Sequence, residues 1–114
     1  MGDQNDGQDD WMPDDPEALY RQLMAQDPES TLPRFSLGKL CLEHRRYPEA
    51  AELLRFCVSR QADWASAWLL LGDALSGAGE RGAAREAYER CRQLSLAQHH
   101  SSMAEEAAEK SAGL

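Results

Sequence analysis

Apolar side chains recur along this chain at the three- and four-residue intervals of a helix, in successive segments separated by proline, glycine or aspartate. Between Glu17 and Gln26 they place Leu19, Tyr20, Leu23 and Met24 on one side. Asp14 stands where a cap belongs, Pro16 suits a first turn, and Asp27-Pro28 closes the segment because proline disfavours helix in the residue before it. A second helix is predicted from about Leu32 to His44, where Phe35, Leu37, Leu40, Cys41 and Leu42 cover more than one stripe and imply burial on two sides. Pro48 opens a third, with Ala50, Leu53, Leu54, Cys57 and Val58 facing the core. Asp63 is the expected cap of a fourth helix carrying Trp68, Leu71, Gly72 and Leu75, which ends around Ser76-Gly77-Ala78-Gly79. A fifth begins near Gly82 and holds Ala84, Ala87, Tyr88, Cys91 and Leu94. Beyond Leu96 the pattern thins. Residues 99–114 suit a capping helix or a frayed tail, and a continuation of helix five is the alternative, since no glycine or proline intervenes before Gly113.

Composition agrees with an all-α fold. Ala and Leu supply most of the 42% apolar residues, while Val, Ile and Thr are nearly absent, so a sheet has almost no raw material. The 114 residues allow one domain with a modest core. The net charge of −8 is concentrated at one end, where residues 1–17 hold seven acids and no base. Residues 1–13 therefore read as a disordered acidic tail, with Trp11 and Met12 placed to fold back onto the first helix as a staple. The rest is close to neutral and offers no dense basic surface, which argues against nucleic acid as a partner. No secretory signal, lipidation motif or apolar run of the ~18 residues a membrane span needs is visible. An odd count of three unpaired cysteines points to a reduced, cytoplasmic setting.

The chain also aligns with itself. When Leu37-Gly38 is laid on Leu71-Gly72, Ala50 falls on Ala84, Leu54 on Tyr88 and Cys57 on Cys91. The register also runs backwards, from Leu54 to Tyr20 and from Cys57 to Leu23. The run Trp68-x2-Leu71-Gly72-x2-Leu75, followed by Ala84-x3-Tyr88, resembles the tetratricopeptide-repeat pattern at its usual period. The preceding unit is looser: Arg34 stands for the tryptophan, Cys41 for the tyrosine and Arg45 for the loop glycine. The resemblance implies a helix-turn-helix array over residues 14–98, an α-α superhelix. It comprises a half repeat at 14–30, full repeats at 31–64 and 65–98, and a C-terminal capping helix. Gly38 and Gly72 would let the helices of a repeat approach, with Ala50 and Ala84 meeting them, while Leu54, Tyr88 and Trp68 fill the space between repeats.

No motif for catalysis stands out. There is no phosphate-binding loop, dinucleotide fingerprint or nucleophile elbow, and no cofactor is expected. Gly77, Gly79 and Gly82 read as an interhelix turn. Cys41, Cys57 and Cys91 read as small buried hydrophobes; the competing reading is a redox sensor with exposed thiols. Cys41 and His44 lie one turn apart, and His99-His100 point about 100° apart on a helix, so neither pair builds a metal site.

What the resemblance implies is binding of another polypeptide on the concave surface formed by the first helix of each repeat. The family's groove positions fall on Leu32, Phe35, Lys39, Leu42 and Glu43, and on Ser66, Leu69, Asp73 and Ser76. Phe35, Leu42 and Leu69 form its apolar centre, suited to an extended or helical segment with an apolar anchor. Chaperone-binding relatives clamp a C-terminal carboxylate with Lys and Asn; here only Lys39 remains, and Phe35, Leu70 and Asp73 occupy clamp positions. The expectation is thus a protein-binding adaptor or assembly factor. Its rival is a structural module whose groove is filled by its own terminus or by a second copy, as in a homodimer. Trp64, Arg55, Arg60, Arg85 and Arg92 are expected to shield packing edges and solvate the outer face.

Overall fold

A computed structural model describes residues 15–114 as six helices: α1 Pro16–Gln26, α2 Leu32–Glu43, α3 Tyr47–Arg60, α4 Ala65–Gly77, α5 Arg81–Ala97 and α6 Ser101–Ala112. The expected acidic tail at 1–13, with Trp11, Met12 and the Asp14 cap, lies outside the described residues. The cap of α1 is Asp15, whose carboxylate accepts from the Glu17 N–H at 3.0 Å. Pro16, Pro33 and Pro48 all sit in first turns, where a missing N–H costs nothing.

Short connections fold each helix back onto the last, and each packs against its sequence neighbours, with α2 also touching α4. The radius of gyration is 16.5 Å, against about 13 Å for a compact domain of this length, and the molecule measures 56 × 28 × 24 Å. It is an extended stack with a thin continuous core. Leu37, Cys41, Leu54, Cys57, Leu71, Leu75, Tyr88 and Cys91 form its spine, and all three cysteines are fully buried. The fold is the all-helical array of helix-turn-helix pairs that the internal register predicts.

Three helices end in the same way. At the end of α2, Arg45 N–H donates to the Leu42 carbonyl and Arg46 N–H to Cys41, with Arg45 in the left-handed region at φ 58°. Gly79 repeats this after α4 at φ 84°, and His99 after α5 at φ 64°. Arg45 and Gly79 are register partners. His99 ends α5 and makes α6 a separate helix, so the continuous-helix alternative is excluded; the stop was hard to read because histidine fills the place where glycine is usual.

Several local expectations need correction. Asp63 does not cap α4: the capping position is Trp64, with no side-chain cap bond, and the Asp63 carbonyl accepts from Gln98 Nε2 at 2.8 Å. Gly38 and Gly72 do not chiefly meet Ala50 and Ala84. A Cβ at Gly38 would lie 3.0 Å from Leu54 Cγ, and one at Gly72 would lie 2.5 Å from the Tyr88 ring. Leu54 and Tyr88 therefore fill the space within a repeat. Gly77 belongs to the last turn of α4, and the Tyr47 ring lies against it.

Candidate functional site

The groove positions of α2 remain open to solvent. Leu32 is 68% exposed at the start of the helix, and Lys39 and Glu43 are exposed further along. Phe35 is half-buried and stacks on Trp64, ring centroids 4.4 Å apart, while the Lys39 ammonium sits 5.8 Å above the Phe35 ring. An aromatic shelf with a cation over it forms this end of the surface. Leu42 is half-buried near the other end of α2.

The positions of α4 are engaged by the chain itself. Ser66 Oγ lies 3.9 Å from Met103 Sδ of α6. Both oxygens of Asp73 accept from Lys110 Nζ of α6 at 3.0 Å, and Oδ1 also accepts from the Tyr88 hydroxyl at 2.6 Å. Leu69, expected at the apolar centre of the groove, is 7% exposed and belongs to the core. It cannot serve as an anchor for a bound segment. Burial, and then donation to Asp73, holds the Tyr88 hydroxyl well above its ordinary pKa.

The nine expected residues thus divide. Leu42, Asp73 and Ser76 come together with Tyr47, Gly77 and Tyr88 around an open cleft of about 370 Å³. Lys39 and Glu43 line a second cleft of about 250 Å³ beside α1, with Pro16, Tyr20, Ser36 and Leu40. Leu32 and Phe35 lie at the opposite end of α2, and Ser66 and Leu69 sit on the half of α4 that faces α6 or the core. Tyr47, Tyr88 and Tyr20 were missed as lining residues because they lie on second helices, which the groove pattern leaves out.

Elsewhere the chain carries a charge network rather than a site. Arg46 holds Glu17 through two 2.9 Å bonds, Arg21 bridges Glu17 and Glu49, and Arg46 reaches Glu49 at 3.3 Å. The Arg46 and Arg21 guanidiniums lower the Glu17 pKa to about 2. This network fastens α1 across the turn that starts α3. Burial pushes the Cys57 thiol up to about 11 and raises Cys41 and Cys91 as well, so none is poised as a thiolate. Among the described residues no three His, Cys, Asp or Glu side chains converge as metal ligands, and no helix is long and apolar enough to cross a membrane.

No family model matches the chain. It is 37% identical over 68 residues to the TPR repeat-containing protein PA0015 of Pseudomonas aeruginosa, a match covering 60% of this chain and 65% of that protein. The chain therefore spans just under two thirds of this relative's length. The solution structure of protein BPP2914 from Bordetella parapertussis superposes with a TM-score of 0.72 at 27% identity, covering 83% of each chain.

Proposed function

We propose that this chain, a helical repeat array related in sequence to a TPR repeat-containing protein, is a protein-interaction module. In this reading it binds a segment of another polypeptide along α2, as an adaptor or assembly factor in the cytoplasm. One observation carries the proposal: the cleft between the ends of α2 and α4 is open and two-sided. Leu42 and Tyr47 offer it apolar surface, and Ser76 offers a hydroxyl beside Asp73, whose carboxylate is already held by Lys110 and Tyr88. A segment with an apolar anchor and a neighbouring donor matches that lining, and the Phe35–Trp64 shelf lies further along the same helix. The test is photo-crosslinking from position 76 in cells, repeated with Leu42→Glu in a variant shown to be folded by circular dichroism. Specific adducts lost with Leu42→Glu are the expected result; adducts indifferent to Leu42 would remove the cleft from consideration.

A second reading has an observation of its own. Met103 and Lys110 bring α6 onto Ser66 and Asp73, and these contacts support a reading in which the chain's own last helix covers part of the expected groove on α4. The two readings meet at Asp73, which lines the open cleft and is held by Lys110. The redox-sensor reading loses support from the full burial of all three thiols.

A further inference from the structure

Each second helix of this array is sealed by the first helix of its own pair. In α3, Ala50, Leu54 and Cys57 are fully buried; their register partners in α5, Ala84, Tyr88 and Cys91, are no more than 3% exposed. The same register positions in α1 are Pro16, Tyr20 and Leu23, and there the seal is missing. Pro16 is exposed, Tyr20 is half-buried and Leu23 is 38% exposed. Gly38 receives Leu54 and Gly72 receives Tyr88. Tyr20 is the third of that series; it packs partly against the core beside α2, but no first helix with a small residue lies over it among the described residues.

The opposite end of the stack has the complementary gap. α6 packs as a first helix, against α5 and against Asp73 of α4, and no second helix among the described residues covers its far side. Gly72 is the eighth residue of α4, and the eighth residue of α6 is Ala108. Ala107 before it is fully buried, as Leu71 is in α4, while Ala108 is small and exposed, with Ala112 exposed one turn on.

We propose that copies of this chain stack head to tail, α6 of one docking on α1 of the next with Ala108 against Tyr20, so that the two helices complete a repeat. The repeat pattern favours the chain's own α6 as occupant, since Ala107-Ala108 stands in α6 where Leu71-Gly72 stands in α4, and one unpaired cation is placed to meet it. Lys39, in the cleft beside α1, lies over the Phe35 ring and makes no ion pair among the described residues. Glu105 and Glu109 are exposed on α6 and likewise unpaired. Docking brings these acids to Lys39; the like charges at this end are Glu43 on the same wall, Asp15 at the start of α1, the sequence's acids before it, and Glu17, which Arg21 and Arg46 already pair. The two faces differ, so the contact is heterologous and the stacking open-ended.

The test uses the full chain and light scattering over a concentration series. The wild-type mass rises with concentration past that of a dimer. Leu23→Glu and Ala108→Glu replace exposed side chains, and unchanged circular dichroism and melting temperature verify that each variant folds. Each alone requires about tenfold or more higher concentration to associate. Mixed in equal amounts they form a dimer and stop there, because one junction of the two is intact. A wild type that stays monomeric to millimolar concentration overturns the proposal, whether residues 1–14 or another protein then meets the α1 face. So does association that neither substitution weakens, or a mixture that fails to dimerise.

Discussion

Arg34 and Trp68 make the same hydrogen bond one repeat apart. Arg34 Nη1 donates to the Pro28 carbonyl at 2.6 Å, and Trp68 Nε1 donates to the Ala62 carbonyl at 2.8 Å. The acceptors Pro28 and Ala62 are register partners, as the donors are. The arginine also packs on an aromatic ring of the next helix, its guanidinium lying 3.9 Å from the Phe56 centroid. Arg34→Ala is therefore expected to cost about 2 kcal/mol in urea denaturation, from a charged hydrogen bond and a cation–π contact. Arg34→Trp recovers most of that loss. If Arg34→Trp is no better than alanine, the equivalence is only geometric.

Gly38 and Gly72 occupy one register position and have different tolerances. A methyl at Gly72 meets Tyr88, whose ring is buried and tied to Asp73 by its hydroxyl, so the ring cannot swing aside. A methyl at Gly38 meets only the end of the Leu54 side chain, at 3.0 and 3.1 Å. Gly72→Ala is expected to destabilise by about 3 kcal/mol and Gly38→Ala by about 1 kcal/mol or less, as overpacking is partly offset by the better helix propensity of alanine. Chemical denaturation of the two variants side by side checks the order.

Arg45 holds a left-handed conformation that its register partner Gly79 adopts freely. Relieving it outweighs the entropy glycine gives up, so Arg45→Gly is expected to stabilise by about 0.5–1 kcal/mol, and Gly79→Ala to destabilise by about 1 kcal/mol. Melting temperatures moving in opposite directions are the readout. His99→Gly should behave like Arg45→Gly, since the three turns share one hydrogen-bond pattern.

The Glu17 network makes the attachment of α1 acid-sensitive. The folded pKa of about 2 lies below the ordinary value of 4.5, so the stabilisation is fully present above about pH 4.5 and is lost as pH falls through about 2. The protection of α1 amides, taken relative to the intrinsic exchange rate at each pH, is expected to fall over that window ahead of the rest of the stack. Glu17→Gln should bring the lower protection to neutral pH and flatten the dependence. Added salt weakens the effect because the partners are partly exposed.

The repeat was legible wherever one residue faces one neighbour. Leu37-Gly38 and Leu71-Gly72 announced the helix pairs, and even Arg34 and Arg45 kept their places by doing a tryptophan's and a glycine's work with other chemistry. The groove was legible on α2 and misleading on α4, because register alone does not say what covers a helix. The register carries Ala65, where α4 starts, onto His99, yet α6 starts only at Ser101. α5 is 17 residues long against 14 for α3, so the last helix slips out of register and its hold on Ser66 and Asp73 could not be aligned in advance. The Glu17–Arg46 pairing spans the first interhelix turn and all of α2, and it carried no periodic signature at all.

α1 contributes no buried residue, while every helix after it contributes at least two. In a stack where each helix is supported only by its neighbours, that difference becomes a direction. Unfolding starts at α1 as a local opening that leaves the Leu54–Cys57–Leu71–Tyr88 spine intact, and proceeds toward α4 and α5 only at much greater cost. A protease or a force applied at the N-terminal end therefore peels the molecule from that side, and the chain loses its first helix long before it loses its shape.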